Sequence, residues 1–245
     1  MSHLFGDMLT TLTTLHTFCT QPGCPDGVDP TGLTLAPNGD LWGATQSGGA
    51  TCNDQAGLGT IFKLTPSGQF TTVYAFCLEG AEPTAQLIVG SDGNFYGTTV
   101  LGGPFGAGTI FRITPDGALT TLYSAGATTL MQDTDGDFYG TTSDGGSNCL
   151  PAGCGTLFRL SIGLSPFVKT LPASGKAGAV VKILGTDLTG ATGVMFNGTA
   201  AVFTVNSAGT SISTTVPAGA ATGTVQVTLS GGGTLSSNLP FRVLP

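Results

Sequence analysis

The segment "GTIFKLTPSGQFTTVYAF", beginning at Gly59, returns at Gly108 as "GTIFRITPDGALTTLYSA" and half-returns at Gly155 as "GTLFRLSIGL". A repeat of about 48 residues constrains this chain more than any other feature. It means like supersecondary units that bury their apolar faces only by packing on one another. Two further signals recur in register. One is "NGDLWGAT" at Asn38, "DGNFYGTT" at Asp92 and "DGDFYGTT" at Asp135. The other is a Thr-rich alternating run: "MLTTLTTLHTF" from Met8, "FTTVYAF" from Phe70 and "LTTLYSA" from Leu119.

Within one unit the pattern predicts four antiparallel strands: a over 85–90, b over 94–99, c over 108–114 and d over 118–125. The a–b link is Asn-Gly or Asp-Gly, read as a two-residue type I′ hairpin turn. The c–d link is "TPSG" or "TPDG", in which Pro pre-sets the turn and Gly closes it. Four strands per unit match a β-propeller blade. The chain opens with a d strand (Met8 to Phe18), runs twice through a-b-c-d, and ends the repeats on a-b-c. The N-terminal strand is therefore expected to complete the last of three blades. Propellers usually have four to eight blades, so three routes stay open: two copies closing a six-bladed ring, a piece of a longer array, or a self-contained three-blade unit.

Carried by these recurring motifs, residues 8–162 resemble the bacterial GloVer repeat. The resemblance implies propeller-like folding and an extracytoplasmic location. Arrays of this family usually hold more than three repeats, which favours a fragment of a longer protein. The resemblance brings no catalytic residue set.

Near Gly163 the pattern changes to short alternating segments ("AVVKILG", "GVMFNG", "AVFTVN", "SISTTVP", "TVQVTLS", "LPFRV") spaced by Gly/Ser/Ala turns. That reads as an Ig-like β-sandwich. The segments around Pro172, Ile183, Val194 and Val216 resemble the IPT/TIG family, whose bacterial members are mostly non-catalytic spacers or adhesive modules. The expected organisation is thus all-β: a three-bladed repeat domain over 1–162 and an IPT/TIG Ig-like domain over 163–245.

Charge divides along the same line. Residues 1–162 carry three basic and thirteen acidic side chains, net −10; residues 163–245 carry four basic and one acidic, net +3. The large acidic part offers no basic stripe for nucleic acid, and the small excess in the second part is too weak to recruit it. No apolar run approaches the ~20 residues of a membrane helix. The N-terminus lacks the basic and apolar regions of a signal peptide, so the expectation is either a cytoplasmic protein or a fragment whose export signal is missing.

All six cysteines lie in the repeats. Cys19 and Cys24 share a d–a loop; Cys149 and Cys154 share a b–c loop. By repeat alignment Cys77 takes the place of Cys19, and Cys52 that of Cys149. In a blade these loops leave on one face, so Cys52 and Cys77 come within reach. The six are candidate disulfides and indicate an oxidising compartment, with the stapled loops 20–32 and 46–58 as the candidate binding face. The b-strand aromatics Trp42, Phe95, Tyr96, Phe138 and Tyr139 are read as packing rather than sugar-stacking platforms.

The sharper chemistries fare poorly. "DTDGD" (Asp133, Asp135, Asp137) lacks the twelfth-position Glu of a calcium loop. Glu79 and Glu82 share one loop and have no matching acid for two-carboxylate hydrolysis. No nucleophile elbow or phosphate loop occurs, and Asn197-Gly198-Thr199 reads as a strand turn despite being a formal sequon. The expectation is a non-enzymatic secreted or cell-surface protein with no cofactor and no membrane insertion. Its repeat face would engage a polysaccharide or a surface protein, and two copies would form a homodimer if they close a six-bladed ring. The alternatives are a propeller-based polysaccharide hydrolase or lyase, and a purely structural stalk.

Overall fold

The computed structural model describes residues 11–49, 57–77, 80–146 and 153–245. These form strands throughout, with one single-turn 3-10 helix at Leu188–Gly190. No helix among the described residues is long and apolar enough to cross a membrane.

The repeats build three antiparallel sheets. The first runs β1 (Val28–Leu35), β2 (Leu41–Ser47), β3 (Thr60–Leu64), β4 (Phe70–Ala75), in that spatial order. The second contains β5 (Ala81–Pro83), β6 (Ile88–Val89), β7 (Phe95–Leu101), β8 (Thr109–Ile113) and β9 (Leu119–Tyr123). Here β5 and β6 are both paired with β7. The a strand expected over 85–90 is thus formed only at Ile88–Val89, with a separate piece, Ala81–Pro83, before it. The break falls beside Glu82, whose φ is +56, and Pro83, which has no N–H to give a ladder. The third sheet is β10 (Ala127–Gln132), β11 (Phe138–Thr142), β12 (Thr156–Leu160).

Two expectations need correction. The a–b turns are not type I′, because Asn38, Asp92 and Asp135 are absent from the residues with positive φ, while Gly39, Gly93 and Gly136 have it. Each is a longer turn with Gly alone in the left-handed region, closed by Gly39 N–H to Ala36 C=O, Gly93 N–H to Gly90 C=O and Gly136 N–H to Asp133 C=O. Secondly, residues 11–18 of the expected N-terminal strand do not pair with the third sheet, and residues 8–10 lie outside the described residues. Residues 11–18 form no strand and pack on the first sheet, where the His16 ring stacks on Phe70 at 3.7 Å and Phe18 meets Phe62 edge-on at 5.1 Å. Among the described residues the third sheet has three strands.

Aromatic rings join the sheets. Trp42 of the first stacks on Phe95 of the second, with centroids 4.1 Å apart, and Tyr96 of the second lies 4.4 Å from Phe138 of the third. All four are buried, which is the packing role read from the sequence. Within each sheet a phenylalanine of the third strand lies across a glycine of the second. A Cβ at Gly43, Gly97 or Gly140 would sit within 2.5 Å of the ring of Phe62, Phe111 or Phe158. The "YGT" and "WGA" glycines are thus small by necessity. The resulting core between the first two sheets includes Trp42, Ile61, Phe76, Phe95, Phe111 and Ile113.

The C-terminal part is an Ig-like sandwich. One sheet is built from β13 (Val168–Leu171), β15 (Val180–Gly185), β19 (Ser211–Thr215) and β18 (Phe203–Val205). The facing one comes from β17 (Thr199–Ala200), β16 (Ala191–Phe196), β20 (Val225–Leu229) and β21 (Thr234–Ser236). A short parallel pair, β14 (Ser174–Gly175) and β22 (Arg242–Val243), flanks them. Alternating inward residues Val181, Ile183, Val194, Phe196, Ile212, Val225 and Val227 fill its core. Asn197 and Gly198 form the β16–β17 turn, and the Asn197 side chain donates to Thr222 C=O at 3.1 Å.

The sandwich is fastened to the third sheet's a–b turn. Phe167 N–H donates to Thr134 C=O at 3.0 Å, the Thr134 and Thr186 hydroxyls meet at 2.9 Å, and the Lys169 ammonium donates to Gln132 C=O. Burial lowers the Lys169 pKa, with the Asp133 carboxylate partly opposing the shift.

Candidate binding site

Each b–c loop leaves its sheet through a neck closed by two threonines. Their hydroxyls lie 2.8 Å apart at Thr45–Thr60, 2.9 Å at Thr99–Thr109 and 2.7 Å at Thr142–Thr156. The first threonine of each pair also accepts the N–H of the second at 3.0 Å and donates to the carbonyl two residues on. This network explains why "GTT" and "GT" recur together. From sequence they read only as strand formers; their recurrence at the same place in each repeat motif, across b–c loops of unequal length, was the available signal.

The first two necks are buried; in the third, Thr142 is half-buried and Thr156 exposed. The difference lies in the d–a loops. Gly27 closes over Thr45, and Gly80 over Thr99 and Thr109. Between β9 and β10 only residues 124–126 connect, and Gly126 packs on Ala107 instead. Thr99→Val leaves the Thr109 N–H without its acceptor in a buried site. It should cost about 1–3 kcal/mol in urea unfolding, and clearly more than Thr142→Val, whose half-buried neck is open to solvent at Thr156.

The expected meeting of d–a and b–c loops is seen at the first sheet, where Gly49 N–H donates to Cys24 C=O at 2.8 Å. Cys19 and Cys24 are disulfide-bonded. Asp26 braces the same loop, taking His16 Nε2 at 2.9 Å and Cys19 N–H at 3.0 Å. Burial works against the Asp26 carboxylate, but the hydrogen bonds from His16 and the backbone outweigh it and hold its pKa below the ordinary value. Cys77 and Cys154 are also disulfide-bonded. Cys52, Cys149 and most of the 46–58 loop lie outside the described residues.

The short third d–a connection has a second consequence. Tyr123-Ser124-Ala125 aligns with Tyr74-Ala75-Phe76. Phe76 stands edge-on over Phe111 at 5.3 Å and fills the space between the first two sheets. Ala125 fills nothing over Phe158. A groove of about 410 Å³ opens there, floored by Ile110, Ala125, Phe158 and Leu160 and walled by Tyr123, which is 58% exposed. Its polar rim is Thr142, Thr156, Asp144 and Arg159. Sequence reading missed this site, although the missing aromatic at position 125 marked it.

The carboxylates of "DTDGD" do not converge. Asp133 accepts Thr134 N–H, Asp135 accepts the Tyr139 hydroxyl at 2.8 Å, and Asp137 pairs with Arg159. A hydrogen bond from Ser161, followed by the Arg159 guanidinium, keeps the Asp137 carboxyl below its usual range. The equivalent Asp92 accepts the Tyr96 hydroxyl at 2.8 Å, and burial together with that bond pushes the Tyr96 phenol well up. In these repeats the turn aspartates serve the tyrosines beneath them.

A search of the curated proteins returned no match. Among solved structures, the chain is similar to a fungal alcohol oxidase of the AA5 family in complex with copper. Identity is 15% over 90% of this chain and 55% of the oxidase, with a TM-score of 0.42. It is also similar to SGBP-B from a complex xyloglucan utilization locus in Bacteroides uniformis, at 12% identity over 86% of this chain and 48% of the other, with a TM-score of 0.28. The chain spans about half the length of these two proteins. The profile of the IPT/TIG domain matches residues 166–243. Because the Gloeobacter/Verrucomicrobia repeat profile matches residues 6–130, over half of its length, the chain belongs to that family.

Proposed function

We propose that this chain is a non-enzymatic binding module of a secreted or cell-surface protein, with the groove between the second and third sheets receiving a unit of a polysaccharide or a side chain of a surface protein. The groove carries this reading. A half-exposed tyrosine beside an apolar floor offers a stacking wall, and two threonine hydroxyls, a carboxylate and a guanidinium offer directional partners at the rim. Its lining supplies one carboxylate, Asp144, where glycoside hydrolysis uses two. The Cys19–Cys24 disulfide supports an oxidising compartment, and the Ig-like domain, fastened to the third sheet beside the groove, would present it. A glycan array followed by titration tests the reading. Wild-type chain should bind, and Ala125→Phe, which restores the ring its sister repeat carries, should abolish binding with the circular dichroism spectrum unchanged. Equal binding by Ala125→Phe would remove the groove as the site, and no binding by wild type would remove the polysaccharide.

A further inference from the structure

Strands β3 and β8 each have a partner on both sides, β4 and β9 supplying the outer one. Their counterpart β12 pairs only with β11 among the described residues, and its Leu157 is 78% exposed. An open edge of this kind is a template for another strand. The same chain holds a strand pattern without a sheet. "LTTLHTF" over residues 12–18 matches "FTTVYAF", which forms β4 and ends in Phe76.

The placement of that segment is informative. Phe18 meets Phe62 at 5.1 Å with rings 64° apart, and Phe76 meets Phe111 at 5.3 Å with rings 65° apart. Phe18 therefore stands to the first sheet as the residue after β4 stands to the second. Residues 12–18 occupy the position of the last strand of a sheet preceding the first one, and no other strand of such a sheet is among the described residues. Leu12 and Leu15, 100% and 66% exposed, lie uncovered.

The aromatic ladder is open at the same two ends. Trp42 stacks on Phe95, and Tyr96 meets Phe138 with the rings tilted by 40°. Tyr139, next in the series, is half-buried and has no ring partner among the described residues. Leu41, which aligns with Phe95 and Phe138, has no preceding sheet among the described residues. It lines a groove of about 400 Å³ with Phe18, Phe62, Leu64 and Phe70.

We infer that two copies of this chain join head to tail, with β12 of one copy pairing along residues 12–18 of the next and Tyr139 of the first seating on Leu41 of the second. The contact repeats the step that already relates the first sheet to the second and the second to the third. The register follows from β3–β4, where Leu64 faces Phe70, Phe62 faces Thr72 and Ile61 faces Tyr74. In the joined copies Leu160 faces Leu12, Phe158 faces Thr14 and Leu157 faces His16. Such a contact is heterologous: it closes when two three-sheet units complete a ring and otherwise propagates. It stands apart from whatever the groove binds.

The test is the solution mass of the full chain by light scattering, under non-reducing conditions and over a concentration series, with a photo-crosslinking phenylalanine analogue at position 157. The expected result is a mass twice the chain's 24.4 kDa or a higher multiple, and crosslinks from position 157 to the peptide holding residues 12–18 of another copy. Leu157→Lys places a charge on the edge at an exposed position where folding does not need the leucine, and should return the mass to a single chain. A monomer at every concentration overturns the inference. So does a crosslink formed only within one chain, or a dimer that Leu157→Lys leaves intact. Glycan binding by the groove is read separately, so either result can fail alone.

Discussion

Phe111→Ala should lower the stability of the repeat sheets by about 3–5 kcal/mol, the range for removing a fully buried aromatic ring. Phe111 has no exposed surface. It lies over Gly97, whose absent side chain makes room for it, and beneath Phe76, so two contacts vanish together. Neither neighbour can close the space: Gly97 has no side chain, and Phe76 is held by its N–H bond to Gly59 C=O. The measurement is convenient because the chain has a single tryptophan, Trp42, which sits in the same core as Phe111. Its fluorescence in urea follows the repeat sheets, while the sandwich, whose core shares no residue with theirs, is followed by the remaining circular dichroism. Phe158→Ala is the control. Its ring already borders the groove left by Ala125, so it should cost clearly less. Equal losses would mean that Phe111 is not the keystone the repeat geometry makes it.

That contrast shows what the sequence could and could not say. The repeats were legible because their punctuation has mechanical causes: glycines under rings, glycines alone in the left-handed turn position, threonines locking a neck. Each cause acts within one unit, so it leaves the same residue at the same offset every time. The b-strand aromatics, read as packing and found between sheets, were legible because every junction between units repeats the same contact. The alternating segments of the sandwich were legible for the ordinary reason that one face is buried. Features that depend on one particular junction, not on one repeated at every step, were not legible. Residues 8–18 carry the pattern of a fourth strand, but pattern does not say which edge receives it, and residues 11–18 lie on the first sheet instead. The groove arises from a loop shortened to residues 124–126 and a ring replaced by Ala125, an absence that draws attention only once Phe76 is seen filling the equivalent space. The turn type was misjudged for a subtler reason. Asp-Gly and Asn-Gly suit both a type I′ turn and a longer turn ending in left-handed Gly, and the choice is made by strand register.

Gly136→Ala should loosen the sandwich from the repeats, whereas the same change at Gly93 should not. Both glycines hold the same place in the same turn, with φ of +94° and +79°, so both variants carry the strain of an L-residue in the left-handed region, about 1–2 kcal/mol. Their surroundings differ. A Cβ at Gly93 meets nothing within 4 Å, while one at Gly136 would sit 2.3 Å from the Leu164 carbonyl oxygen and 3.0 Å from that of Ser165. Those atoms belong to the backbone joining the last repeat to the sandwich, so they yield only if the segment moves away. Moving it breaks the fastening beside it, the Phe167 N–H bond to Thr134 and the Thr134–Thr186 hydroxyl pair. Lys169 would be freed as well, and its ammonium, no longer desolvated against Phe167 and Gln132, would return toward its ordinary pKa. Small-angle scattering should show a larger radius of gyration for Gly136→Ala than for Gly93→Ala, and proteolysis between residues 160 and 167 should quicken for Gly136→Ala alone. The Trp42 transition should shift by a similar amount in both, because the turn strain is common to them. Equal compactness of the two variants would mean that the 132–136 turn supports the third sheet without holding the sandwich in place.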